Sequence, residues 1–211
     1  MNSPPVAPPG PLPAPLRRAA FLCLVLSAAA GYASLNEAMR LEALPSATQQ
    51  QLEDSALPVE PELRPFVQAA MKAHLEGLSS MKTSRQWILG GLWVATILSL
   101  VGALRLFRPV PFPREKAVQI LGRSTFAAAL LRVIDGAQMT AVAQRMGKAA
   151  APFAPAQWNL EAMPADTLAH SFMIFSAALT FGVAGLFLAL SMYFRSEKTQ
   201  QLLRETAAPL V

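Results

Sequence analysis

Residues 117–146, with the sequence AVQILGRSTFAAALLRVIDGAQMTAVAQRM, decide the fold of this chain. The segment is long enough and apolar enough to form a helix that crosses a lipid bilayer, which takes about 20 residues. It nevertheless contains Arg123, Arg132 and Asp135. A central Arg or Asp costs about 2.5 to 3.5 kcal/mol on a membrane-insertion scale, whereas each strongly apolar residue returns only about 0.3 to 0.6 kcal/mol. Hydropathy alone therefore argues against a transmembrane helix here.

In three other segments, no charged residue in the middle argues against a transmembrane helix. Residues 86–107 have no charged side chain between Trp87 and Leu104, and residues 169–194 have no Asp, Glu, Lys or Arg. Residues 16–36 join a basic pair to an apolar stretch, which is the pattern of either an uncleaved signal anchor or a cleaved signal peptide. We predict that all three segments form transmembrane helices, and both interpretations of the first one stay open.

The distribution of basic residues favours a fourth crossing. If residues 117–142 also span the membrane, every short basic segment lies on one side of it, and segments 37–85 and 143–168 lie on the other. Seven acidic and five basic residues give segment 37–85 a net charge of −2. Short loops rich in Lys and Arg stay in the cytoplasm, so four spans satisfy this rule at every connection. The residues that set this topology are Arg17, Arg18, Arg105, Arg108, Arg114, Lys116, Arg195 and Lys198.

The sequence thus predicts an all-α integral membrane protein, a small bundle of four transmembrane helices. A three-span alternative, in which residues 117–142 form an amphipathic helix on the membrane surface, stays open. Apolar residues at helical spacing also predict an amphipathic helix at 63–82, within the first extracytoplasmic segment. The remaining parts are a Pro-rich disordered cytoplasmic tail (1–15), a basic cytoplasmic loop (108–116), an extracytoplasmic loop (143–168) and a cytoplasmic tail (195–211).

Composition narrows the classes of function. Hydrophobic residues make up 53% of the chain and charged residues 15%, against roughly 25% charged in a soluble domain. The basic residues that flank the apolar segments account for the net charge of +5, so this charge does not indicate nucleic-acid binding. The single cysteine, Cys23, excludes an intrachain disulfide. The sequence has no catalytic, metal-binding or cofactor-binding motif, and we expect no enzyme activity, metal or cofactor.

Two sets of residues are candidate sites within the membrane. Arg132 and Asp135 are three residues apart, so they share one side of a helix and can form an ion pair. Small residues at steps of three or four let another helix approach closely. Two such faces are present, one formed by Gly91, Ala95, Ser99 and Ala103, and the other by Ala178, Gly182, Gly185 and Ala189.

Two functions fit these features. The first is a non-enzymatic scaffold or accessory subunit that associates with a protein partner, or with a second copy, through the small-residue faces. The second is a small transport or channel component that uses the Arg132–Asp135 pair as a polar gate, because charges within a membrane often mark a path for ions, protons or substrates. The signal-like N-terminus and a composition rich in Ala, Pro and Arg favour the inner membrane of a bacterium, and a eukaryotic membrane stays open as the alternative.

Overall fold

The computed structural model describes residues 11–53, 60–108, 113–154 and 165–207. These residues form α-helices joined by short connections, and none of them lies in a strand. The helices are α1 (Ala14–Glu53), α2 (Arg64–Ser80), α3 (Lys82–Phe107), α4 (Arg114–Ala150), α5 (Ala165–Arg195) and α6 (Glu197–Ala207), and the 3-10 turn Ala151–Phe153 follows α4.

Four segments of this helical chain are long enough and apolar enough to cross a membrane. They confirm the predicted all-helical fold and the predicted number of long apolar helices. The disputed segment 117–142 belongs to the third of them, which contains an apolar stretch of membrane-spanning length although Arg123, Arg132 and Asp135 lie on the same helix. The four segments are Ala14–Ala43, Lys82–Phe107, Arg114–Phe153 and Asp166–Arg195.

The first of two compact units comprises, within the described residues, 11–32, 93–108, 113–129 and 185–207. It brings together the start of α1, the end of α3, the start of α4 and the end of α5, so successive long helices alternate in direction. Two hydrogen bonds link α4 to its neighbours, from Ser99 Oγ to Ser124 Oγ at 2.8 Å and from Ser191 Oγ to the carbonyl of Gly122 at 2.8 Å. The buried core residues are Leu16, Ala20, Cys23, Ala103, Leu106, Ala117, Val118, Leu121, Leu190, Phe194 and Leu203.

The second unit comprises, within the described residues, 33–53, 60–92, 130–154 and 165–184. In it α2 buries Phe66 and Ala70 against Ala150 at the end of α4. A second cluster joins one residue each from α1, α2 and α3, namely Leu41, Leu78 and Leu89. The apolar stripe of α2 is therefore used for packing within the unit.

Several boundaries differ from the predicted ones. The first helix was predicted at 16–36, yet α1 continues past Pro45 to Glu53. Proline removes one backbone hydrogen bond and can kink a helix without ending it. The residues after it, including three consecutive Gln, then Leu and Glu, are good helix formers. The tail predicted at 195–211 contains α6, and α2 lies within the range predicted for an amphipathic helix.

Parts of the predicted connections lie outside the described residues. They are residues 1–10 of the Pro-rich tail, 54–59 of the first polar segment, 109–112 of the basic loop, 155–164 of the second polar segment and 208–211 of the C-terminal tail.

Candidate functional site: an ion-pair network on three helices

Asp135 of α4 lies between two arginines in the second unit. Arg132 Nη1 donates a hydrogen bond to Asp135 Oδ2 at 3.0 Å. The other carboxylate oxygen, Oδ1, lies 3.0 Å from Arg85 Nη2 of α3, an ion pair that lacks hydrogen-bond geometry. The predicted pair of Arg132 and Asp135 is thus present, and it is one part of a larger network.

Arg85 extends this network to a third helix. Its Nη2 donates to Oε1 of Glu37 in α1, in a close ion pair. The side chain of Arg85 is 0% exposed and that of Asp135 is 4% exposed, whereas Arg132 is 13% and Glu37 32% exposed. The network therefore runs from a buried centre at Arg85 and Asp135 to a partly exposed end at Glu37.

The four charges balance one another. Two guanidinium groups face two carboxylates, so Glu37, Arg85, Arg132 and Asp135 together carry a formal net charge of zero. A buried charge without a partner loses several kcal/mol of hydration, and breaking a buried pair costs about 3 to 5 kcal/mol. Because the partners come from α1, α3 and α4, the network favours one relative arrangement of these helices within the second unit.

Other polar groups adjoin this network. Burial, and then the positive charge of Arg85, lower the pKa of His74 in α2 below its ordinary value of 6.5. Gln138 Nε2, one turn after Asp135, donates to Ser84 Oγ at 3.2 Å. His74 Nδ1, Gln138 Oε1, and Nε and Nη1 of Arg85 are buried with no hydrogen-bond partner among the described residues. The second unit thus contains a polar interior.

The two small-residue faces differ in their surroundings. On α3, Ala95, Ser99 and Ala103 are buried and Gly91 is half-buried. A methyl group placed on Gly91 would lie 3.3 Å from Leu131 Cδ1 of α4. The α5 face is exposed along its length, and a methyl group on Gly182 or Gly185 would meet no atom within 4 Å. Its residues are Ala178, Gly182, Gly185 and Ala189.

The basic residues predicted to set the topology all belong to the first unit. Seven of these side chains are exposed, and that of Arg114 is half-buried. They lie at the ends of four long helices and on α6. The full set is Arg17, Arg18, Arg105, Arg108, Arg114, Lys116, Arg195 and Lys198.

Sequence reasoning missed Glu37 and Arg85 as members of the network. Both fall in the polar segment predicted to be an extracytoplasmic loop, where they were counted only toward its net charge. A signal was nevertheless present. Glu37 follows Arg18 by 19 residues and Arg85 precedes Arg105 by 20, so each lies about the same number of residues from a basic residue at the other end of its apolar segment.

Comparison with known proteins adds no relative. No protein-family model, curated protein or solved structure matches this chain. Among the described residues, no group of three or more His, Cys, Asp or Glu side chains is placed to hold a metal ion. The network is therefore interpreted from its own chemistry.

Proposed function

We propose that this chain is a multi-pass membrane protein of a bacterial inner membrane, and that it acts as a non-enzymatic scaffold or accessory subunit. The observation that carries the proposal is the balanced ion-pair network on α1, α3 and α4. In this role the network fastens the helices together, and the long polar segment between the first two spans is displayed on the extracytoplasmic side.

The height of Glu37 and Arg85 in the membrane supports a fastening role. A rise of 1.5 Å per residue converts 19 or 20 helical residues into about 30 Å, which is the thickness of the hydrocarbon layer. If Arg18 and Arg105 mark the cytoplasmic boundary, Glu37 and Arg85 reach the opposite boundary. Charges at this height cost less than charges at the centre, because water and headgroups are near.

The pairing within the network weighs against a polar gate. Transporter sites typically lie near the middle of the bilayer, but height alone does not separate the two functions. In this topology Glu37 and Arg85 lie near the outer ends of their spans, whereas Gly136, next to Asp135, packs on Thr180 midway along α5. Both carboxylates are already paired with arginines, so the network has no surplus acid to carry a cation. We therefore favour the scaffold over the transport component.

One observation still supports transport as a second candidate. Arg85, the partner of Asp135, also pairs with a second acid, Glu37. The histidine His74 lies close enough to Arg85 for this positive charge to lower its pKa. Acids and histidines in sequence are the usual parts of a proton relay. In that role Glu37, about one-third exposed, is the entry point for a proton from the extracytoplasmic side.

A comparison of single and double substitutions tests the scaffold. Replacing Asp135 alone with Leu leaves two buried arginines with one acid, so we expect a loss of about 3 to 5 kcal/mol in stability. Replacing Arg132 and Asp135 together with Leu leaves the balanced Glu37–Arg85 pair and should cost far less, or be neutral. Thermal unfolding of the purified protein in detergent measures both.

The double variant also separates the two functions. In sealed proteoliposomes we expect proton flux to be at background for the wild type and for Arg132→Leu/Asp135→Leu alike. Proton flux in the wild type that disappears in the stable double variant would support the gate and refute the scaffold. Equal unfolding temperatures for the single and the double variant would show that the network does not fasten the helices.

A further inference from the structure

A cleft in the first unit lies between α4 and the end of α5. It is an open groove with a volume of about 240 Å³, less than the 300 to 1,000 Å³ typical of sites that enclose a drug-sized ligand. A ligand would therefore occupy it with only a part of its structure. The cleft is lined by Phe126, Leu188, Ser191, Met192, Arg195 and Ser196.

Arg195 lies across this cleft. A methyl group on Gly122 of α4 would lie 2.8 Å from Arg195 Cγ, so the absence of a side chain there lets the arginine stem rest on the helix. The guanidinium carbon lies 5.7 Å from the centre of the Phe126 ring. Arg195 is exposed, and no carboxylate among the described residues lies within ion-pair distance of it. Arg195 is therefore a basic group that lines the cleft and has no acidic partner among the described residues.

The surroundings of Arg195 combine apolar and basic groups. Leu188, Met192 and Phe126 are exposed on the cleft side, with exposed fractions from 38% to 67%. Arg123, also exposed, directly follows Gly122 on α4. A ligand complementary to this arrangement has a negative group for the guanidinium and a hydrocarbon part for the apolar residues.

We propose that this cleft binds an anionic phospholipid of the cytoplasmic leaflet, with the phosphate held by Arg195 and Arg123. Planar guanidinium groups bind phosphate oxygens through paired hydrogen bonds. The acyl chains lie along Met192, Leu188 and the Phe126 ring. This inference rests on the proposed function, because it requires α4 and α5 to be in a bilayer. We assign the bound phosphate to a lipid and not to a soluble phosphate compound, because three of the side chains that line the cleft are apolar and exposed.

Lipid binding to the purified full-length chain tests the proposal. The chain in a neutral detergent is titrated with dioleoyl phosphatidylglycerol or dioleoyl phosphatidylcholine, and native mass spectrometry measures the bound lipid. We expect the anionic lipid to bind more tightly. A basic residue near a membrane surface contributes about 1 kcal/mol toward an anionic lipid, so Arg195→Gln should weaken phosphatidylglycerol binding about 5-fold.

Arg204→Gln is the matched control. It removes the same charge from an exposed position on α6 that does not line the cleft, and phosphatidylglycerol binding should stay unchanged. Arg123→Gln is a second test variant, with a loss similar to that of Arg195→Gln expected. Equal losses in Arg195→Gln and Arg204→Gln would overturn the site in favour of diffuse attraction. Displacement of the lipid by soluble glycerol 3-phosphate would overturn the lipid as the ligand.

Alkaline carbonate extraction of membranes distinguishes a failure of the lipid site from a failure of the membrane function proposed above. If carbonate releases the chain from membranes, the membrane proposal fails and the lipid site fails with it. If the chain stays in the membrane fraction and the two lipids bind equally, only the lipid site is refuted.

Discussion

Arg85 is the largest fully buried side chain in the described parts of the chain, and it is charged. Its burial is tolerated because one of its nitrogens contacts carboxylates from two other helices, Glu37 and Asp135. Asp135 in turn has Arg132 as a second partner. At the residue scale, the fold of the second unit therefore depends on equal numbers of positive and negative side chains in this network. Removing any one of these side chains takes a partner away from at least one other.

Burial of His74, together with the positive charge of Arg85, lowers its pKa and so makes the stability of the folded chain depend on pH. Because its pKa in the folded chain is lowered, the unfolded chain binds more protons than the folded one as the pH falls below 6.5. The stability contributed by neutral His74 is fully present above about pH 6.5 and is lost as the pH falls toward the lower folded-state pKa.

We therefore expect the unfolding temperature to fall on acidification, and His74→Gln to reduce this fall. Thermal unfolding of wild type and variant between about pH 5 and pH 7.5 checks the prediction, since this range covers the titration of histidine. His170→Gln is the control, because His170 is the other histidine of the chain and is exposed. An equal pH dependence in wild type and His74→Gln would contradict the expectation.

Gly147 gives a prediction about packing in the second unit. A methyl group at this position would lie 2.5 Å from Ala169 Cα, which is a backbone atom and has little room to move. Overpacking a well-packed site typically costs about 1 to 3 kcal/mol, so Gly147→Ala should lower the free energy of unfolding by that amount.

Gly90→Ala is the matched control for Gly147→Ala. Gly90 is also helical, and a methyl group there would meet nothing within 4 Å. Alanine is favoured over glycine in a helix by about 0.5 to 1 kcal/mol, so this variant should be neutral or slightly more stable. Denaturation in detergent compares the two, and equal stability of both variants would refute the close packing of α4 on α5 at Gly147.

At the element scale, α5 is the least buried of the four membrane-length helices. Its small residues Ala178, Gly182, Gly185 and Ala189 are exposed, whereas the comparable face of α3 packs within the chain. Of the two small-residue faces that were predicted to associate with a partner protein or a second copy, we therefore expect only the one on α5 to do so. A second copy of the chain is the simplest occupant, because a two-fold axis brings the same face of two copies together.

We expect Gly182→Ile/Gly185→Ile to leave stability unchanged and to abolish dimers. The two positions are open, so the added bulk meets nothing within the chain, but it prevents close approach of a second helix. Light scattering in detergent measures the mass of the complex. The control is Leu179→Ile/Leu186→Ile, which keeps the volume of two exposed residues of α5. Dimers that persist in the glycine variant, or a wild type that is monomeric, would exclude self-association through this face.

The elements that could be predicted from the sequence are those specified by local pattern. The long apolar helices follow from runs of apolar residues with few charges, and α2 follows from apolar residues at helical spacing. The continuation of α1 past Pro45 could not be predicted, because proline permits either a kink or an end. The contact of Arg85 with Glu37 depends on how two helices are rotated toward each other, which hydropathy does not specify.

At the scale of the whole molecule, the basic residues predicted to set the topology and the ion-pair network fall in different units. The basic helix ends and α6 belong to one unit, and the ion-pair network and α2 belong to the other. If the four long helices each cross the membrane, the positive-inside rule orients the basic ends toward the cytoplasm. The assignment of the cleft to the cytoplasmic leaflet depends on this orientation, whereas the pairing within the network does not.

The sidedness of two single cysteines tests this account most directly. In a Cys23→Ser background, Lys148→Cys near the end of α4 and Gln200→Cys on α6 are both exposed on the protein surface. Intact cells or oriented membrane vesicles are treated with a thiol reagent that cannot cross the membrane. With four spans, the cysteine at 148 is labelled from outside and the cysteine at 200 is protected until the membrane is opened. Labelling at 200 and protection at 148 would mean three spans, and would contradict both the four-helix membrane arrangement and the placement of Glu37 and Arg85 at the outer boundary.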